Sequence, residues 1–513
     1  MNAGKQMKAW FSAATLVATL GFVSGASSAV PTPLGGDTDR ARRARVATTE
    51  LDVVAARAIL EGADPSDTAL ALETARVELY EANCDKAVEI LSRPDLVNRP
   101  EAMELGDVSR GCARGTAATI TVRDDEHGVL VRLQDDEDRA LVPLIAEVAQ
   151  RARAMLAKEL GVELPLPIRI DLVRDQFTLA ALTGLPEDAA QTTGTVAVAK
   201  WGRVTMLSPR STQNGYAWLD TLTHEMTHLA LSRGTRDKAP LWLQEGVAKR
   251  QEQRWRDKQP LDDVPSVDAI AAVGIDKGLG VDLDKIGPSI AMLPSADQAQ
   301  VVFAEVSSFI RFWVREAGDE ALPQLVLRLK AAESQADFER AIGEVSTADF
   351  PTWIKRWRAY LATVPRDLPK DLEPGSVPKD LKDVAKRNRL GELLHGRGHA
   401  KAASLERALA HALMPNEPSM RCHLAESLLA MGDTKTAAPL VEHIEDVHGR
   451  FGRWYSLHGL LFPDAPDRDS SFRIGLALDP LEPMVACEEK LAPALPQDPL
   501  VAAICEAARR VPR

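Results

Sequence analysis

Cysteine and tyrosine are both scarce in this chain: its 513 residues include five cysteines and four tyrosines, and aromatic residues make up 5% of the whole. No Cys-x-x-Cys pair occurs, which excludes the common kind of thiolate zinc site. Five cysteines are too few to hold a chain of this length together, so its stability has to come from buried cores. Cys84 could pair with Cys112 and Cys487 with Cys505, which would leave Cys422 over.

Basic charge is in the minority, with 62 lysines and arginines against 74 acidic residues and a formal net charge of −12. Nucleic-acid binding needs basic surfaces that face phosphate groups, so we expect no nucleic-acid partner. The basic run at residues 40–45 is the exception. Because it follows a segment rich in proline and glycine, we interpret it as a solvated linker or the start of a helix.

Long apolar runs are missing outside the N-terminus. There, Lys5 and Lys8 precede an uncharged apolar stretch at residues 9–23, and small residues follow it. This pattern predicts a cleavable secretory signal at residues 1–29, with an uncleaved anchor as the alternative. We therefore expect a bacterial periplasmic or secreted protein that has no transmembrane segment after signal cleavage.

The clearest functional signal is the pentapeptide His-Glu-Met-Thr-His at residues 224–228, within a run that reads as a helix. Histidines four apart on a helix lie on one face, about 6 Å apart along the axis, so His224 and His228 could bind one ion. Neutral imidazole is a good zinc ligand. Glu225 would then lie beside the ion, where it could move a proton from a zinc-bound water to a leaving amine.

The alternative is a surface helix with a solvated His/Glu pair, and the surrounding sequence argues against it. The helix has an apolar face through Leu219, Leu222, Met226 and Leu229, as a helix packed on a core needs. Gly234 is placed to end the helix in the left-handed conformation.

A second helix, beginning near Pro240, carries Glu245 among apolar residues. A carboxylate in such surroundings is costly unless it is paired or metal-bound, and catalytic zinc takes three protein ligands plus water. Gly246 would let another helix approach closely. We interpret Glu245 as the third ligand; the alternative is a glutamate in a helical salt bridge with Lys249.

These two helices, together with residues 194–200, 303–310 and 353–357, resemble the gluzincin metallopeptidases, and within them the bacterial peptidase MA-like or minigluzincin group. The likeness covers residues 118–363. It implies an α+β fold, with a small, mostly antiparallel sheet plus zinc-binding helices.

The resemblance also implies one Zn²⁺ ion bound by His224, His228 and Glu245, with Glu225 as general base and a peptide or protein as substrate. In this family an edge strand before the zinc helix binds the peptide as a further strand. Residues 195–200 or 204–207 would be that edge, with ordinary sheet core as the alternative.

The candidate substrate-binding residues are accordingly Thr195, Val196, Ala197 and Tyr216. One position departs from the family. Where relatives often have a tyrosine that donates a hydrogen bond to the oxyanion of the reaction intermediate, this chain has Phe303, which cannot donate. Tyr216, Arg233 and Arg254 remain open as replacements.

Helical repeats are predicted at the C-terminal end, where Gly398–Ala403 recurs as Gly432–Ala437 at an offset of 34 residues. This is the tetratricopeptide period, and such arrays offer a concave surface to a protein partner. A plain helical bundle is the alternative.

Local patterns further predict a hairpin at 119–133, strands at 166–173, 195–199 and 204–207, and a short helix at 176–182 ended by Gly184.

The predicted organisation is a signal peptide (1–29), a linker (30–46), a helical repeat-like segment (47–117), the peptidase-like domain (118–363), a proline-rich linker (364–383) and tetratricopeptide-like repeats (384–513). We expect an exported zinc metallopeptidase, endopeptidase or aminopeptidase. Two rivals are a zinc-bound scaffold with little activity and a binding protein of the cell envelope that works through its repeats.

Overall fold

The computed structural model describes residues 36–186, 195–212, 215–258, 262, 265–287, 289–290, 293–332, 334–368, 373–375, 381–415, 417–442, 452–481, 487 and 499–510. The signal expected at residues 1–29 lies outside these ranges. Within them, no helix is both long enough and apolar enough to cross a membrane.

Five helices open the described chain: α1 (Thr38–Thr49), α2 (Val53–Leu60), α3 (Thr68–Tyr80), α4 (Cys84–Leu91) and α5 (Pro100–Thr116). The side chains of Asp37, Asp52 and Asp67 cap the first three by accepting hydrogen bonds from backbone N–H groups. Alanine and leucine side chains of these helices form a core of their own, in which Cys84 and Cys112 are joined by a disulfide.

The linker predicted at residues 30–46 is wrong from residue 38 onward. The basic run lies in α1, because Asp37 caps that helix and its buried Ala41 and Ala44 join the core of the N-terminal helices. The other interpretation of the run, as the start of a helix, is confirmed.

A five-stranded sheet follows, built from β1 (Ile120–Asp124), β2 (Val129–Leu133), β3 (Ile168–Val173), β4 (Ala197–Lys200) and β5 (Arg203–Leu207) in the order β1-β2-β3-β5-β4. The α+β class and the predicted strands are confirmed. The expectation of a mostly antiparallel sheet is wrong, because β3 pairs in parallel with both β2 and β5. The physical reason is that α6 (Val142–Leu160) and α7 (Gln176–Thr183) act as crossovers between these strands.

The described part of the central domain has seven more helices: α8 (Trp218–Thr235), α9 (Leu241–Gln251), α10 (Val267–Asp276), α11 (Ala296–Ala317), α12 (Ala321–Leu329), α13 (Gln335–Val345) and α14 (Phe350–Leu361). Helix α8 packs against the β4–β5 hairpin, α6 and α9, and α9 packs on α11. A Cβ atom on Gly246 would lie 2.5 Å from Ile310 Cγ1 and 2.6 Å from the carbonyl oxygen of Val306. The close helix approach predicted at Gly246 is therefore confirmed.

Gly234 does not end α8, contrary to the prediction. The helix continues to Thr235, and the left-handed residue after it is Arg236, with φ of 55°. A Cβ on Gly234 would lie 2.7 Å from side-chain atoms of Val162 and of Val326. Glycine at this position permits close packing of the helix on its neighbours.

The C-terminal part contains α15 (Leu381–Gly396), α16 (Ala400–Leu413), α17 (Pro418–Ala430), α18 (Thr434–Ala437), α19 (Gly452–Leu461), α20 (Arg468–Leu478) and α21 (Pro499–Arg510). The turns before α16 and α18 have the same geometry: Gly398 and Gly432 both have φ of 79°, and the next residue donates its N–H to Leu394 O (2.9 Å) or Leu428 O (3.0 Å). The 34-residue offset thus marks a repeated helix-turn-helix, whereas the tetratricopeptide likeness stays a prediction.

Both flanks attach to the central domain through specific polar contacts. Arg203 of β5 is fully buried, forms an ion pair with Asp171 (3.0 Å) and donates to the carbonyl oxygen of Leu79 in α3 (2.6 Å). At the other end, the Trp218 indole donates to the carbonyl oxygen of Ala477 (3.0 Å).

The expected disulfide between Cys487 and Cys505 is present, and Cys422 is buried outside both disulfides.

Candidate metal centre

Helix α8 carries the His-Glu-x-x-His segment through the middle of the central domain. Residues 221–231 of this helix are all buried, because the sheet, α6 and α9 surround it. His224, Glu225 and Glu245 have no exposed surface, and His228 is 2% exposed. The spacing of the motif and the packing of α9 thus bring four ionisable side chains into the interior.

Three of these side chains converge. His224, His228 and Glu245 each offer a ligand atom, and the three atoms lie within 4.8 Å of one another. Glu245 Oε2 is 3.6 Å from His224 Nε2 and 3.7 Å from His228 Nε2. The three residues that the sequence pattern selected as ligands are therefore neighbours in space.

The spacing of the ligand atoms fits a divalent cation. Ligands bound to zinc in tetrahedral geometry at 2.0–2.2 Å are about 3.3–3.6 Å apart, close to the two nitrogen–oxygen distances in this site. His224 Nε2 is buried and makes no hydrogen bond with any described residue. Buried polar atoms normally have partners, and a metal ion is a partner that satisfies such a nitrogen. Two imidazoles and one carboxylate are also the donor set of one class of catalytic zinc site.

A second carboxylate, Glu252, lies behind His224 and was missed in the sequence. Its Oε2 is 3.2 Å from His224 Nδ1 and accepts a hydrogen bond from Lys249 Nζ at 2.9 Å. A carboxylate on the far nitrogen of a metal-binding histidine fixes the ring and its tautomer. Glu252 follows Glu245 by two helical turns, which is the signal that could have identified it. Lys249, the salt-bridge partner considered for Glu245, is paired with Glu252.

The pKa values of the two histidines are shifted in opposite directions from the ordinary imidazole value. Desolvation lowers the pKa of His228 to about 3, so this ring is neutral at pH 7, as a metal ligand has to be. Desolvation acts in the same sense on His224, but the neighbouring carboxylates of Glu245 and Glu252 outweigh it and raise the pKa of His224 to about 9. Without a cation, therefore, His224 itself carries the positive charge that the two carboxylates attract.

Glu225 is the remaining buried acid of the site. Neither of its carboxyl oxygens makes a hydrogen bond of good geometry with a described residue. Burial raises the pKa of Glu225 to about 8, although the charge of His224 and the backbone N–H of Ala199 in β4 oppose this shift. A carboxyl group with a pKa near neutrality and no fixed partner is suited to taking up and releasing a proton.

Three of the four candidate substrate-binding residues lie in or just before β4, the strand that packs against α8, whereas Tyr216 lies between β5 and α8. Thr195 and Ala197 are fully buried and Val196 is 7% exposed; the carbonyl oxygen of Val196 accepts a hydrogen bond from the N–H of Leu207 at 2.8 Å. Tyr216 is buried, and its hydroxyl donates to the carbonyl oxygen of Leu207. Among the described strands β4 is at the edge of the sheet, and β5, the other candidate edge, is inside it.

Comparison with known proteins adds no relative: no family model matches this chain, and no curated protein matches it. The case for function therefore comes from the geometry of the site.

Proposed function

We propose that this chain is a zinc-dependent metallopeptidase of gluzincin type. The observation that carries the proposal is the convergence of His224, His228 and Glu245, with ligand atoms within 4.8 Å of one another around a shared point. A zinc ion held there supplies Lewis-acid chemistry, by acidifying a water molecule and polarising a carbonyl group. We also propose that the protein acts outside the cytoplasm, from the signal pattern at residues 1–29.

Glu225 is the general base in this proposal. As water adds to the peptide carbonyl carbon, the carboxylate of Glu225 takes one proton from that water. It then delivers the proton to the amide nitrogen as the C–N bond breaks, so that the leaving group departs as a neutral amine. The position of Glu225 supports this role, because it is buried and directly follows the proposed ligand His224 in α8.

Strand β4 is the proposed binding edge for the peptide. It is the edge strand of the described sheet, it packs against α8, and its Ala199 N–H acts on Glu225. A peptide added as a further strand would therefore run past the general base, held by backbone hydrogen bonds that need no particular side chains. Residues 195–197 would support this edge from the interior of the domain, since their side chains are buried.

A second candidate function is a structural metal site, and the burial of the ligands favours it. The four central residues have at most 2% of their surface exposed, whereas a catalytic ion has to be reached by water and substrate. In that case the ion would stabilise the packing of α8 on α9, and the chain would act as a scaffold.

Two substitutions distinguish these functions. Purified full-length protein, Glu225→Gln and Glu245→Ala would be analysed for zinc by mass spectrometry and incubated with a proteome-derived peptide library. We expect one zinc per chain in the native protein and in Glu225→Gln, loss of zinc in Glu245→Ala, and cleavage by the native protein alone. Cleavage that persists unchanged in Glu225→Gln would refute the peptidase proposal. A native protein that holds zinc and cleaves nothing would favour the scaffold.

A further inference from the structure

Lys249 places a positive charge beside the metal centre. It lies one turn after Glu245 on α9, and its side chain is 20% exposed, more than any of the ligands. Its Nζ donates to Glu252 Oε2 at 2.9 Å and lies 5.8 Å from the centre of the Phe303 ring. Lys249 therefore contacts the carboxylate behind His224 and lies near Phe303, at the position where the resemblance implies a donor.

Peptide hydrolysis at this site needs a group that stabilises the oxyanion. The negative charge develops on the carbonyl oxygen as water adds, and removing one preorganised donor typically slows such reactions by about 10²–10³. Phe303 has no donor group. A cation or a polar hydrogen from another residue would add to the stabilisation that a bound zinc ion supplies.

The three replacements considered from the sequence are engaged elsewhere. The Tyr216 hydroxyl donates to the carbonyl oxygen of Leu207, within the strand and loop before α8. Arg233 donates to the backbone carbonyl oxygen of Glu50 in the N-terminal segment. Arg254 donates to both carboxyl oxygens of Glu159, at 2.9 and 2.8 Å. Each of these donors stabilises the fold at another place.

Lys249 is also hydrogen-bonded, but it lies one turn after Glu245 on α9, and its partner Glu252 is the carboxylate beside His224. An ammonium group has three donor hydrogens, and the hydrogen bond to Glu252 uses one of them. The positive charge of Lys249 opposes the rise in the pKa of both Glu225 and His224, so Lys249 is close enough to the candidate metal centre to act on both groups. The four-carbon stem lets the ammonium reorient toward a substrate while the helix backbone stays fixed.

We propose that Lys249 is the electrophilic donor of this site, with its ammonium hydrogen-bonded to the substrate oxyanion in place of a tyrosine hydroxyl. The role rests on the proposed peptidase function. As the bond from water oxygen to carbonyl carbon forms, the carbonyl π electrons move onto oxygen and the water proton goes to Glu225. Lys249 keeps its own proton throughout. When the C–N bond breaks, the oxyanion returns its electron pair and its interaction with Lys249 weakens.

Lys249→Met tests this role, with Lys158→Met as the control on an exposed helix surface. In zinc-loaded full-length protein we expect Lys249→Met to lower kcat for library peptides by about 10²–10³, with KM changed less than threefold, and to keep one zinc per chain. Affinity for a phosphinic pseudopeptide, whose tetrahedral anion resembles the intermediate, should fall by a similar factor in calorimetry. The control should match the native protein in all of these measurements.

Restoring the amine makes the test sharper. Lys249→Cys treated with 2-bromoethylamine regains an ammonium at nearly the original length, and we expect it to recover most of the lost kcat; the native protein receives the same treatment as its control. Loss of zinc in Lys249→Met would overturn the proposal, because Lys249 would then only hold Glu252 against His224. The proposal would also be overturned if the kcat of Lys249→Met were within threefold of the native value. A zinc-loaded native protein that cleaves no peptide refutes the peptidase function itself, and this role with it.

Discussion

Glu252 is a single residue outside the proposed ligand set that lies in contact with one of the proposed ligands. Its carboxylate lies between His224 Nδ1 and Lys249 Nζ, at 3.2 and 2.9 Å. When Glu252 accepts a hydrogen bond from Nδ1, Nε2 of His224 is the nitrogen that faces Glu245 and the proposed cation. The orientation of a ligand ring and its basicity both depend on such a partner.

Removing that charge should weaken zinc binding without abolishing it. We expect Glu252→Gln to lower zinc affinity by about 10–100-fold, because the amide holds the His224 ring less firmly and contributes no negative charge. Competition with a fluorescent chelator measures the affinity. Glu316→Gln, which changes a surface ion pair with Arg315, is the control and should bind zinc as the native protein does. Equal affinity in Glu252→Gln and the control would contradict the role assigned to Glu252.

At the scale of single residues, the site residues that could be predicted from the sequence are those that a local pattern marks. His224, Glu225 and His228 follow from helical periodicity, and Glu245 from its apolar surroundings. The positions of Glu252 and Lys249 relative to His224 depend on how α9 packs on α8, which no local pattern encodes. The same holds for Asp171: it reads as the polar side of a strand, yet it is 3% exposed and ion-paired with Arg132 and Arg203.

At the scale of secondary-structure elements, the contact between α9 and α11 positions Glu245. Gly246 is the residue that lets the two helices approach, and it is next to the ligand in the chain. Any displacement of α9 from α11 therefore moves the carboxylate relative to the two imidazoles.

Gly246→Ala tests this dependence. The added Cβ would meet Ile310 Cγ1 at 2.5 Å and the carbonyl oxygen of Val306 at 2.6 Å, so the helices have to separate. We expect a loss of about 1–3 kcal/mol in the free energy of unfolding, together with weaker zinc binding. Urea denaturation and chelator competition measure the two effects.

Gly343→Ala is the matched control, because this glycine also lies inside a helix but has no atom within 4 Å of an added Cβ. Alanine there should stabilise the protein by about 0.4–1 kcal/mol. Native zinc affinity in Gly246→Ala would show that the position of α9 does not control the site.

The C-terminal helices should respond to acid through His423. This residue of α17 is 1% exposed, with Nδ1 2.9 Å from the side-chain oxygen of Asn388. Burial, reinforced by Arg407, lowers the pKa of His423 to about 3. Because the folded state disfavours the protonated ring, its stabilisation is complete above the unfolded pKa of about 6.5 and is lost progressively as the pH falls toward 3.

Between pH 7 and pH 5 this effect amounts to about 2 kcal/mol of unfolding free energy. The His423→Gln variant removes the titrating group and keeps a hydrogen-bond donor, so its stability should fall less steeply over the same range. Chemical denaturation of the C-terminal helices at several pH values measures the two slopes. Identical slopes would contradict a buried neutral histidine at this position.

Most elements could be predicted from local sequence, whereas their arrangement could not. Local signals identify the hairpin, α7 and α8, because each has its periodicity or its turn residues within a short stretch of the chain. The parallel pairing of β3 with β2 and β5 depends on contacts between residues far apart in the chain. Gly234 illustrates the same limit, because glycine suits both a helix end and close packing, and only Val162 and Val326 decide between them.

At the scale of the whole molecule, the C-terminal part contacts the segment that leads into α8. The N–H of Tyr216 donates to the carbonyl oxygen of Leu478, and the Trp218 indole donates to that of Ala477, both at 3.0 Å. Gly215 has φ of 66°, and its Cα faces Leu478 so closely that a Cβ would lie 2.3 Å from the carbonyl oxygen. The end of α20 therefore helps to fix the start of α8.

Gly215→Ala should loosen this contact. We expect faster amide hydrogen exchange in residues 215–222 and 468–478, because the clash with backbone atoms separates α20 from the start of α8. Gly278→Ala is the control, since Gly278 has a similar φ of 72° but an added Cβ would have no atom within 4 Å. If residues 215–222 and 468–478 exchange equally fast in both variants, the contact between α20 and the start of α8 does not control their stability.

The central claim is that three buried ligands hold a zinc ion whose chemistry Glu225 completes. The most direct test measures zinc content and peptide cleavage on the same preparations of native protein and Glu225→Gln. The account predicts one zinc per chain in both and a fall in cleavage rate of at least about 10² in Glu225→Gln. A native protein purified with zinc available that contains no bound metal, or a Glu225→Gln variant that cleaves peptides at the native rate, would contradict it.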